Sequence, residues 1–310
     1  MERLIVSSSP HLRSGDTTQK LMLDVIIALC PALIASVILF GWRALLLEAV
    51  TVASCVVSEY LCRKIMKRNS SIEDLSAVVT GLLLAFNLPV TLPLWMAALG
   101  GAIAIVVVKQ LFGGIGHNFV NPALTARIVL MVSFPSPMTN WVQPLSADAV
   151  TTATPLGIMA EGTGQALPSL TDMFFGLRAG CLGETCAVAL LLGGLYLVIR
   201  RVISPVIPLC FMGMVAAMSL LMGLDPLTQL LSGGVMLGAI FMATDYVTSP
   251  INFWGRVVFG LGCGFLTMVI RQFGSLPEGV SFSIVLMNIL TPHIERLTYP
   301  KSFGEAGAKA

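Results

Sequence analysis

Hydroxyl side chains that could act as hydrolase nucleophiles are frequent in one stretch, SADAVTTATPLG at residues 146–157. Thr151, Thr152 and Thr154 follow Asp148 in it, and no His or Cys nearby could complete a hydrolase triad with them. No Gly-rich loop leading to a Lys-Ser or Lys-Thr pair precedes the stretch, so a nucleotide phosphate loop is not predicted. On composition alone the stretch predicts a solvated turn without chemistry of its own.

Three carboxylates lie in or at the end of apolar runs, where a charge is costly and marks a functional candidate. Asp24 and Glu59 lie within such runs, and Asp245 ends the run in FMATDYVTSPIN. Each is a candidate for an ion or proton path, or for pairing with a nearby Arg. We expect Asp245 near the external side of the membrane core, where it could instead cap the helix before Tyr246 or pair with Arg271.

Two Asn side chains lie in GGIGHNFVNPALTAR, residues 113–127. Asn118 and Asn121 offer both donors and acceptors, which suit a bound ring system or a helix cap. Asn121 followed by Pro122 is equally typical of an N-cap and a first helical turn. His117 has no second His or carboxylate at ligand spacing, so no metal site is predicted, and no side chain of the chain is predicted to be catalytic by itself.

The composition is that of an integral membrane protein. Apolar residues make up 56% of the 310 residues and charged residues only 11%, against about 25% charged in a soluble domain. This excludes disordered, fibrous, nucleic-acid-binding and secreted disulfide-rich proteins. Six of the seven Cys lie in or at the ends of apolar stretches, and no CxxC pair predicts an iron–sulfur site.

Ten stretches approach the ~20 apolar residues that a helix needs to cross a bilayer. They are residues 21–40, 43–62, 75–88, 92–112, 119–134, 181–199, 204–223, 228–244, 254–273 and 280–298. With a cytoplasmic N-terminus, 14 of the 18 Lys and Arg residues fall on the cytoplasmic side, as the positive-inside rule requires. The predicted order is a cytoplasmic segment 1–20, a first membrane repeat 21–134, an external loop 135–179 rich in Pro, Ser, Thr and Gly, a second membrane repeat 180–299, and a cytoplasmic tail 300–310.

The two predicted membrane halves resemble each other weakly. TGLLLAFN at 80–87 aligns with GAIFMATD at 238–245, and the helix that follows each ends in a basic–Gln pair, at Lys109 and Arg271. Five segments per half is an odd number, so the second half must be inverted. Inverted repeats with broken helices are typical of transporters whose site lies where the repeats meet. The alternative is a chance similarity between Gly-rich helices, whose small residues only permit close packing.

The Thr-rich stretch resembles the D-G-x-S-G-A-T segment of the NqrB/RnfD family, membrane subunits of ion-translocating redox complexes. The departures from the family pattern that bear on attachment are Thr151, in place of its Ser, and Thr152, in place of the Gly that follows that Ser. Thr154, which precedes a Pro, keeps the register with Ala153 and Asp148. The stretches NFVNPALTAR, ATDYVTSP and TGLLLAFNLPVTLPLW also resemble the family, and the likeness extends over most of the chain.

This resemblance implies an all-α membrane fold of two inverted five-helix repeats, similar to urea and ammonium transporters. It implies that Thr154 carries FMN through a phosphoester, which a separate flavin transferase makes from FAD. It also implies a second flavinylated subunit as electron partner and, by analogy with NqrB, a second, non-covalent flavin such as riboflavin near the cytoplasmic side. The expected complex is of the Rnf type, an oxidoreductase and translocase of the prokaryotic inner membrane that couples electron transfer between ferredoxin and NAD⁺ to Na⁺ or H⁺ movement.

Two other functions fit parts of the sequence. A urea- or ammonium-type solute channel would share the repeats and broken helices, but it would have no use for a flavin motif. An NqrB-like subunit of a quinone reductase would carry a longer N-terminal region than the 20 polar residues here, so the RnfD members of the family match better. No GxGxxG follows a strand and no iron–sulfur ligand set is present, so NAD and cluster sites are expected on other subunits, which are this chain's partners together with membrane lipid.

Overall fold

A computed structural model describes residues 17–69, 71–145, 152–161, 167–274 and 278–299. Within these ranges every regular element is a helix and no β-strand occurs. Asp148, Thr151 and the predicted tail 300–310 lie outside the described residues. The first helix begins at Thr18 rather than residue 21, because Thr17 caps it by accepting a hydrogen bond from the Lys20 amide at 3.3 Å.

Among the described residues, the first half of the chain contains five helices. They are α1 (Thr18–Phe40), α2 (Trp42–Ile65), α3 (Ser76–Phe86), α4 (Leu94–Ala102, continued by a π-helix at Ile103–Gln110) and α5 (Pro122–Ser133), with a 3₁₀ turn at Ile72–Asp74. The predicted external loop is more than a solvated connection, since it holds three short helices. They are α6 (Pro135–Met138), α7 (Pro155–Glu161) and α8 (Leu170–Phe175).

The second half contains six further helices. They are α9 (Ala187–Ile199), α10 (Val206–Leu221), α11 (Pro226–Leu231), α12 (Val235–Leu237, continued by a π-helix at Gly238–Met242), α13 (Phe253–Phe273) and α14 (Val280–Thr298). Each of the ten predicted segments therefore contains a helix, and three helices, α1, α2 and α13, are long and apolar enough to cross a membrane. That all ten segments cross stays a prediction.

The predicted segment 181–199 is helical only from Ala187, because the chain before it packs against the end of α3. The amides of Leu182 and Gly183 donate to the carbonyls of Leu88 and Phe86 at 3.1 and 3.0 Å. A β-carbon on Gly183 would lie 2.2 Å from Phe86 Cβ, so only Gly permits this approach. Non-helical backbone at membrane depth is tolerated where protein surrounds it and satisfies its polar groups, as here.

The predicted segment 228–244 is also broken, at residues 232–234 between α11 and α12. Gly233 has φ +60°, and a β-carbon there would lie 2.7 Å from Leu156 of α7 and 3.0 Å from an Arg271 guanidinium nitrogen. The break therefore follows from close contact with α7 and α13. Both interrupted segments bring polar backbone into the interior of the helix bundle.

The two ends of the helix bundle can be distinguished, because a cavity lies at one end and the predicted external loop packs at the other. Thr18, Ser76, Lys109 and Leu197, from four different helices, line one cavity at what we call the basic end. At the other end, which we call the loop end, the Leu145 amide donates to the carbonyl of Leu39 at the end of α1 at 3.0 Å. The Thr152 amide donates to the carbonyl of Trp141 at 3.0 Å, so the chain on both sides of residues 146–151 lies at the loop end.

Candidate functional site

Thr154 lies at the loop end and caps α7. Its Oγ1 accepts a hydrogen bond from the Gly157 amide at 3.1 Å, and its carbonyl accepts from the Ile158 amide at 2.9 Å. Pro155 follows as the first helical residue, where a missing amide costs nothing. Thr154 is 7% exposed, whereas Thr152 is half-buried and Ala153 exposed. The hydroxyl in the family register is therefore shielded in this conformation.

The Arg271 guanidinium and Leu156 of α7 both lie close to Gly233. Arg271, at the end of α13, donates to the backbone and side-chain oxygens of Gln229 at 2.8 and 2.9 Å and to the carbonyl of Ser232 at 2.8 Å. Its buried Nε has no partner among the described residues. The loop end thus holds both the Thr154 hydroxyl and the positive charge of Arg271.

The centre of the bundle holds a buried polar group that we call the central cluster. Its members are Asn87, Arg127, Arg178, Cys181, Glu184, Glu278 and Ser281. Arg127 of α5 forms an ion pair with Glu278 and donates to Asn87 Oδ1 and Ser281 Oγ, both at 2.9 Å. Arg178 donates to the Glu184 carbonyl at 2.8 Å. The cluster ties the end of α3 and α5 of the first half to the chain before α9 and the start of α14 of the second half.

Three of these side chains could in principle surround a metal ion. Atoms of Cys181, Glu184 and Glu278 lie within 4.8 Å of one another. The Arg127 guanidinium, however, already pairs with Glu278 and donates to Cys181 Sγ at 3.6 Å. Arg127 and Arg178 equal Glu184 and Glu278 in number, but the ion pair found among the described residues is Arg127–Glu278, and Glu184 Oε2 has no hydrogen-bond partner there. Loss of either partner of such a buried pair is strongly destabilising. The arrangement therefore has the chemistry of a charge-compensated network.

A cavity of about 410 Å³, which we call the inner cavity, lies at the basic end. Asn118, Asn121, Thr80 and Asp245 supply polar groups to a lining that is mainly aliphatic. Asn121 caps α5 by accepting from the Ala123 and Leu124 amides at 3.1 and 3.3 Å, and its Nδ2 donates to the Met242 carbonyl at 3.3 Å. The capping interpretation of Asn121 is confirmed, and this residue also links the two halves.

The expected position of Asp245 is wrong. It lines the inner cavity together with Ser76 and Lys109, at the basic end, whereas Arg271 lies at the loop end and cannot pair with it. The reason is the path of the chain: the broken segment formed by α11 and α12 starts at the loop end, so its last residues reach the opposite end. Asp245 instead forms a local turn, in which it accepts from Thr248 Oγ1 at 3.2 Å and the Val247 amide at 3.4 Å.

The other two carboxylate candidates are paired at the basic end. Asp24 accepts from the Tyr196 hydroxyl at 2.8 Å and from Arg200 at 3.3 Å. Glu59 is fully buried and accepts from Lys109 Nζ and Gln110 Nε2, both at 2.9 Å. Both therefore have the ion-pair contacts that the sequence left open. Among the three candidates, only Asp245 has no cationic partner within the described residues.

The sequence interpretation missed the central cluster. Arg127 and Glu184 lie within predicted membrane segments, and Glu278 precedes the last one. Their spacing forms no recognisable motif. The charge of Arg127 was the one feature that could have indicated the cluster, because an unpaired guanidinium in a predicted membrane segment is costly. The Arg127 guanidinium therefore required a carboxylate partner, but the sequence alone could not identify which one.

Comparisons with known proteins identify relatives along nearly the whole chain. The family model described as the NQR2, RnfD, RnfE family matches residues 5–304. The D subunit of the Na(+)-translocating ferredoxin:NAD(+) oxidoreductase complex of Acetobacterium woodii is 49% identical over 97% of this chain and 95% of its own length. The D subunit of the proton-translocating ferredoxin:NAD(+) oxidoreductase complex of Clostridium ljungdahlii is 43% identical over 96% of both chains.

More distant relatives carry a similar name. The D subunit of the ion-translocating oxidoreductase complex of Stutzerimonas stutzeri is 39% identical over 93% of this chain and 92% of its own length. The apolar helices and a match that covers almost the entire sequence establish that the chain is a multi-pass membrane protein and belongs to the NQR2, RnfD, RnfE family.

Proposed function

We propose that this chain is the D-type membrane component of a ferredoxin:NAD⁺ oxidoreductase complex of the Rnf type in a prokaryotic inner membrane. It carries electrons through FMN held on Thr154 and contributes to the coupled movement of Na⁺ or H⁺. The observation that carries the proposal is the register of Thr154, Ala153 and Asp148 in a member of this family, within a stretch that has no other chemistry. The names of the relatives support assignment to such a complex. One relative is named as Na⁺-translocating and another as proton-translocating, so the names do not agree on the ion.

The residues around Thr154 fit a tethered FMN. The Thr154 hydroxyl supplies the ester oxygen, and bound flavin would supply the one- and two-electron chemistry that no side chain of this chain can perform. Arg271 would offset the negative charge of the phosphate or of a reduced ring. Since Oγ1 is shielded and accepts from Gly157, a flavin transferase can reach it only if the start of α7 moves or if modification precedes the packing of α7.

We further propose ten membrane crossings in two inverted repeats. The packing of α2 against α4 has its counterpart in the packing of α10 against α13. Asn87 and Asp245, which occupy equivalent positions in the repeat, lie at the centre and at the basic end. Lys109 and Arg271, also equivalent, lie at opposite ends of the bundle. Equivalent residues that face opposite ways are what inversion requires.

The inner cavity is our proposed site for a second, non-covalent flavin. Its volume of about 410 Å³ lies within the range of small-molecule sites, which are mostly apolar with a few polar groups that orient the ligand. Asn118 Nδ2 donates to the Val120 carbonyl at 3.1 Å, which leaves its Oδ1 free of any hydrogen bond among the described residues. That oxygen and the Thr80 side chain could orient the ring edge of a riboflavin.

Flavin analysis of the purified complex tests the function. We expect in-gel fluorescence from the denatured chain, which reports covalent FMN, and riboflavin or another free flavin in the supernatant of the same denatured sample, which reports the second site. A chain without in-gel fluorescence would contradict the tethered carrier and favour the solute-channel alternative. Fluorescence of the chain without released flavin would remove only the second site.

Orientation in the membrane is tested by labelling single Cys residues in a Cys-free background. We expect position 150 to react with an impermeant maleimide in intact cells and position 66 to react only in inverted vesicles, since the basic end should be cytoplasmic. Met66 follows α2 at the basic end, so the two positions report opposite sides. Labelling of position 150 in inverted vesicles alone would reverse the assignment, including the external position of FMN.

Asp245 is our proposed ion-path residue, because it lines a cavity and has no cationic partner among the described residues. Asp245→Asn keeps an acceptor for Thr248 and Val247 but removes the charge, so we expect ion uptake per transferred electron to fall severalfold while FMN stays attached. The control is Asp225→Asn, because Asp225 also accepts from a nearby Thr, the amide of Thr228 at 2.8 Å, but does not line the cavity. An unchanged ratio of Na⁺ or H⁺ uptake to electron flux in reconstituted vesicles would exclude Asp245 from the path.

A further inference from the structure

A second pocket, of about 420 Å³, opens at the basic end, and we call it the outer pocket. It lies between the end of α9, the start of α10 and the connection that leads into α13. Its polar lining residues are Arg201, Ser204, Thr244, Tyr246, Ser249 and Arg256, and the other lining residues are aliphatic or Pro. Arg201 and Arg256 are its charged members, and no carboxylate is among these residues.

The two guanidiniums of the outer pocket form no ion pair with a described carboxylate. Arg256 donates from Nε to the Pro250 carbonyl at 3.2 Å, and no ion pair of Arg201 or Arg256 occurs among the described residues. The neighbouring Arg200, by contrast, pairs with Asp24. Two like charges at one pocket, flanked by the hydroxyls of Ser204 and Ser249, form a site for an anionic oxygen-rich group.

The backbone at Arg201 favours a different residue type. Arg201 follows the last turn of α9 with φ +57°, and its amide donates to the Val198 carbonyl at 3.0 Å. Gly is the usual residue at this left-handed position after a helix, because a side chain there is disfavoured. The chain nevertheless places a guanidinium there, at the edge of the pocket.

Exposed apolar side chains flank the outer pocket. Ile199 at the end of α9 is 71% exposed, Leu209 of α10 63% and Trp254 at the start of α13 67%. In a membrane-spanning chain such residues face acyl chains, and Trp is enriched at the level of the head groups. A basic pocket between helices, next to an acyl-facing surface, matches a phospholipid better than a freely soluble anion.

We propose that the outer pocket binds the head group of an anionic phospholipid, with its phosphate between Arg201 and Arg256. Basic pockets of this kind between membrane helices recognise anionic head groups. The outer pocket adjoins the inner cavity: the Tyr246 hydroxyl donates to the Val202 carbonyl, and these two residues line both spaces. The proposal does not depend on flavin binding.

Lipid competition on the full-length chain in detergent tests this proposal, with a tail-labelled phosphatidylglycerol as the probe. We expect unlabelled phosphatidylglycerol to displace the probe at about tenfold lower concentration than phosphatidylcholine, and millimolar inorganic phosphate to leave it bound. Arg201→Gly combined with Arg256→Gln should weaken probe binding by about tenfold or more. Arg201→Gly alone should also weaken probe binding and should not lower the thermal midpoint, since it relieves a left-handed side chain, so loss of lipid in this single variant cannot be attributed to misfolding.

The matched control is Lys67→Gly. Lys67 is also a basic, exposed residue in the left-handed region, with φ +53°, just after the end of α2, but it does not line the outer pocket. We expect Lys67→Gly to bind the probe like the unmodified chain. Arg201→Lys keeps the positive charge and should retain most of the probe binding. Equal loss in Lys67→Gly, equal displacement by phosphatidylcholine, or displacement by inorganic phosphate would each overturn the proposal, the last in favour of a site for a soluble anion.

Discussion

Replacement of Thr154 by Ala should abolish covalent flavin on the chain while the protein remains folded in the membrane. The substitution removes the only oxygen in the family register that could form the phosphoester. It also removes the cap that Oγ1 provides to the Gly157 amide. Loss of such a cap costs about 1 kcal/mol, and α7 is a short helix at the loop end, so the fold should persist. In-gel fluorescence and the amount of membrane-bound chain measure the two effects separately.

Three matched variants decide whether the register is correct. Thr154→Ser keeps both the hydroxyl and the cap, and it should retain FMN. Thr151→Ala and Thr152→Ala remove neighbouring hydroxyls and should retain FMN as well. Thr152 is the main alternative attachment site for FMN, because this residue is only half-buried whereas Thr154 is buried. Mass spectrometry of the loop peptides identifies the modified residue, and FMN on Thr152 would show that the motif was aligned too far along the chain.

The helices were the part of the fold that the sequence predicted best, because apolar length is a local property. Each of the ten predicted segments contains a helix. The errors occur where backbone leaves the helix for a distant partner. Nothing in residues 181–186 reports that Gly183 will pack on Phe86, and the hydropathy of residues 228–244 does not reveal that Gly233 will contact Arg271 and α7. Both breaks are set by long-range contacts.

For the candidate site as well, the sequence identified local features, whereas it did not identify contacts between distant residues. Thr154 was identified from a short motif and the Asn121 cap from a local Asn-Pro pair, so neither depended on the tertiary structure. Asp245 was expected at the external side, but the broken segment before it leads to the basic end. The Arg127–Glu278 pair joins residues 151 positions apart. A partner at that distance can be identified only after α5 and the start of α14 have been placed together.

That pair carries the largest stability effect that we expect in the membrane core. Arg127 is 2% exposed and bridges Glu278, Asn87 and Ser281. Arg127→Leu removes the charge that compensates a buried carboxylate and leaves the oxygens of Asn87 and Ser281 without their donor. Removal of one partner of a buried ion pair typically costs about 3–5 kcal/mol, so we expect a loss of about 4 kcal/mol in the free energy of unfolding. Reversible unfolding in mixed micelles measures it.

A double-mutant cycle separates the ion pair from simple loss of packing. Arg127→Leu combined with Glu278→Leu removes both charges, so its destabilisation should be smaller than the sum of the single variants by about 1–3 kcal/mol. Arg43→Leu is the control, since Arg43 is exposed and donates only to the carbonyls of Val90 and Thr91, and it should cost about 1 kcal/mol. Strictly additive effects of Arg127→Leu and Glu278→Leu would mean that the two side chains stabilise the bundle independently. The central cluster would then be a set of separate contacts between the halves rather than one charge-compensated network.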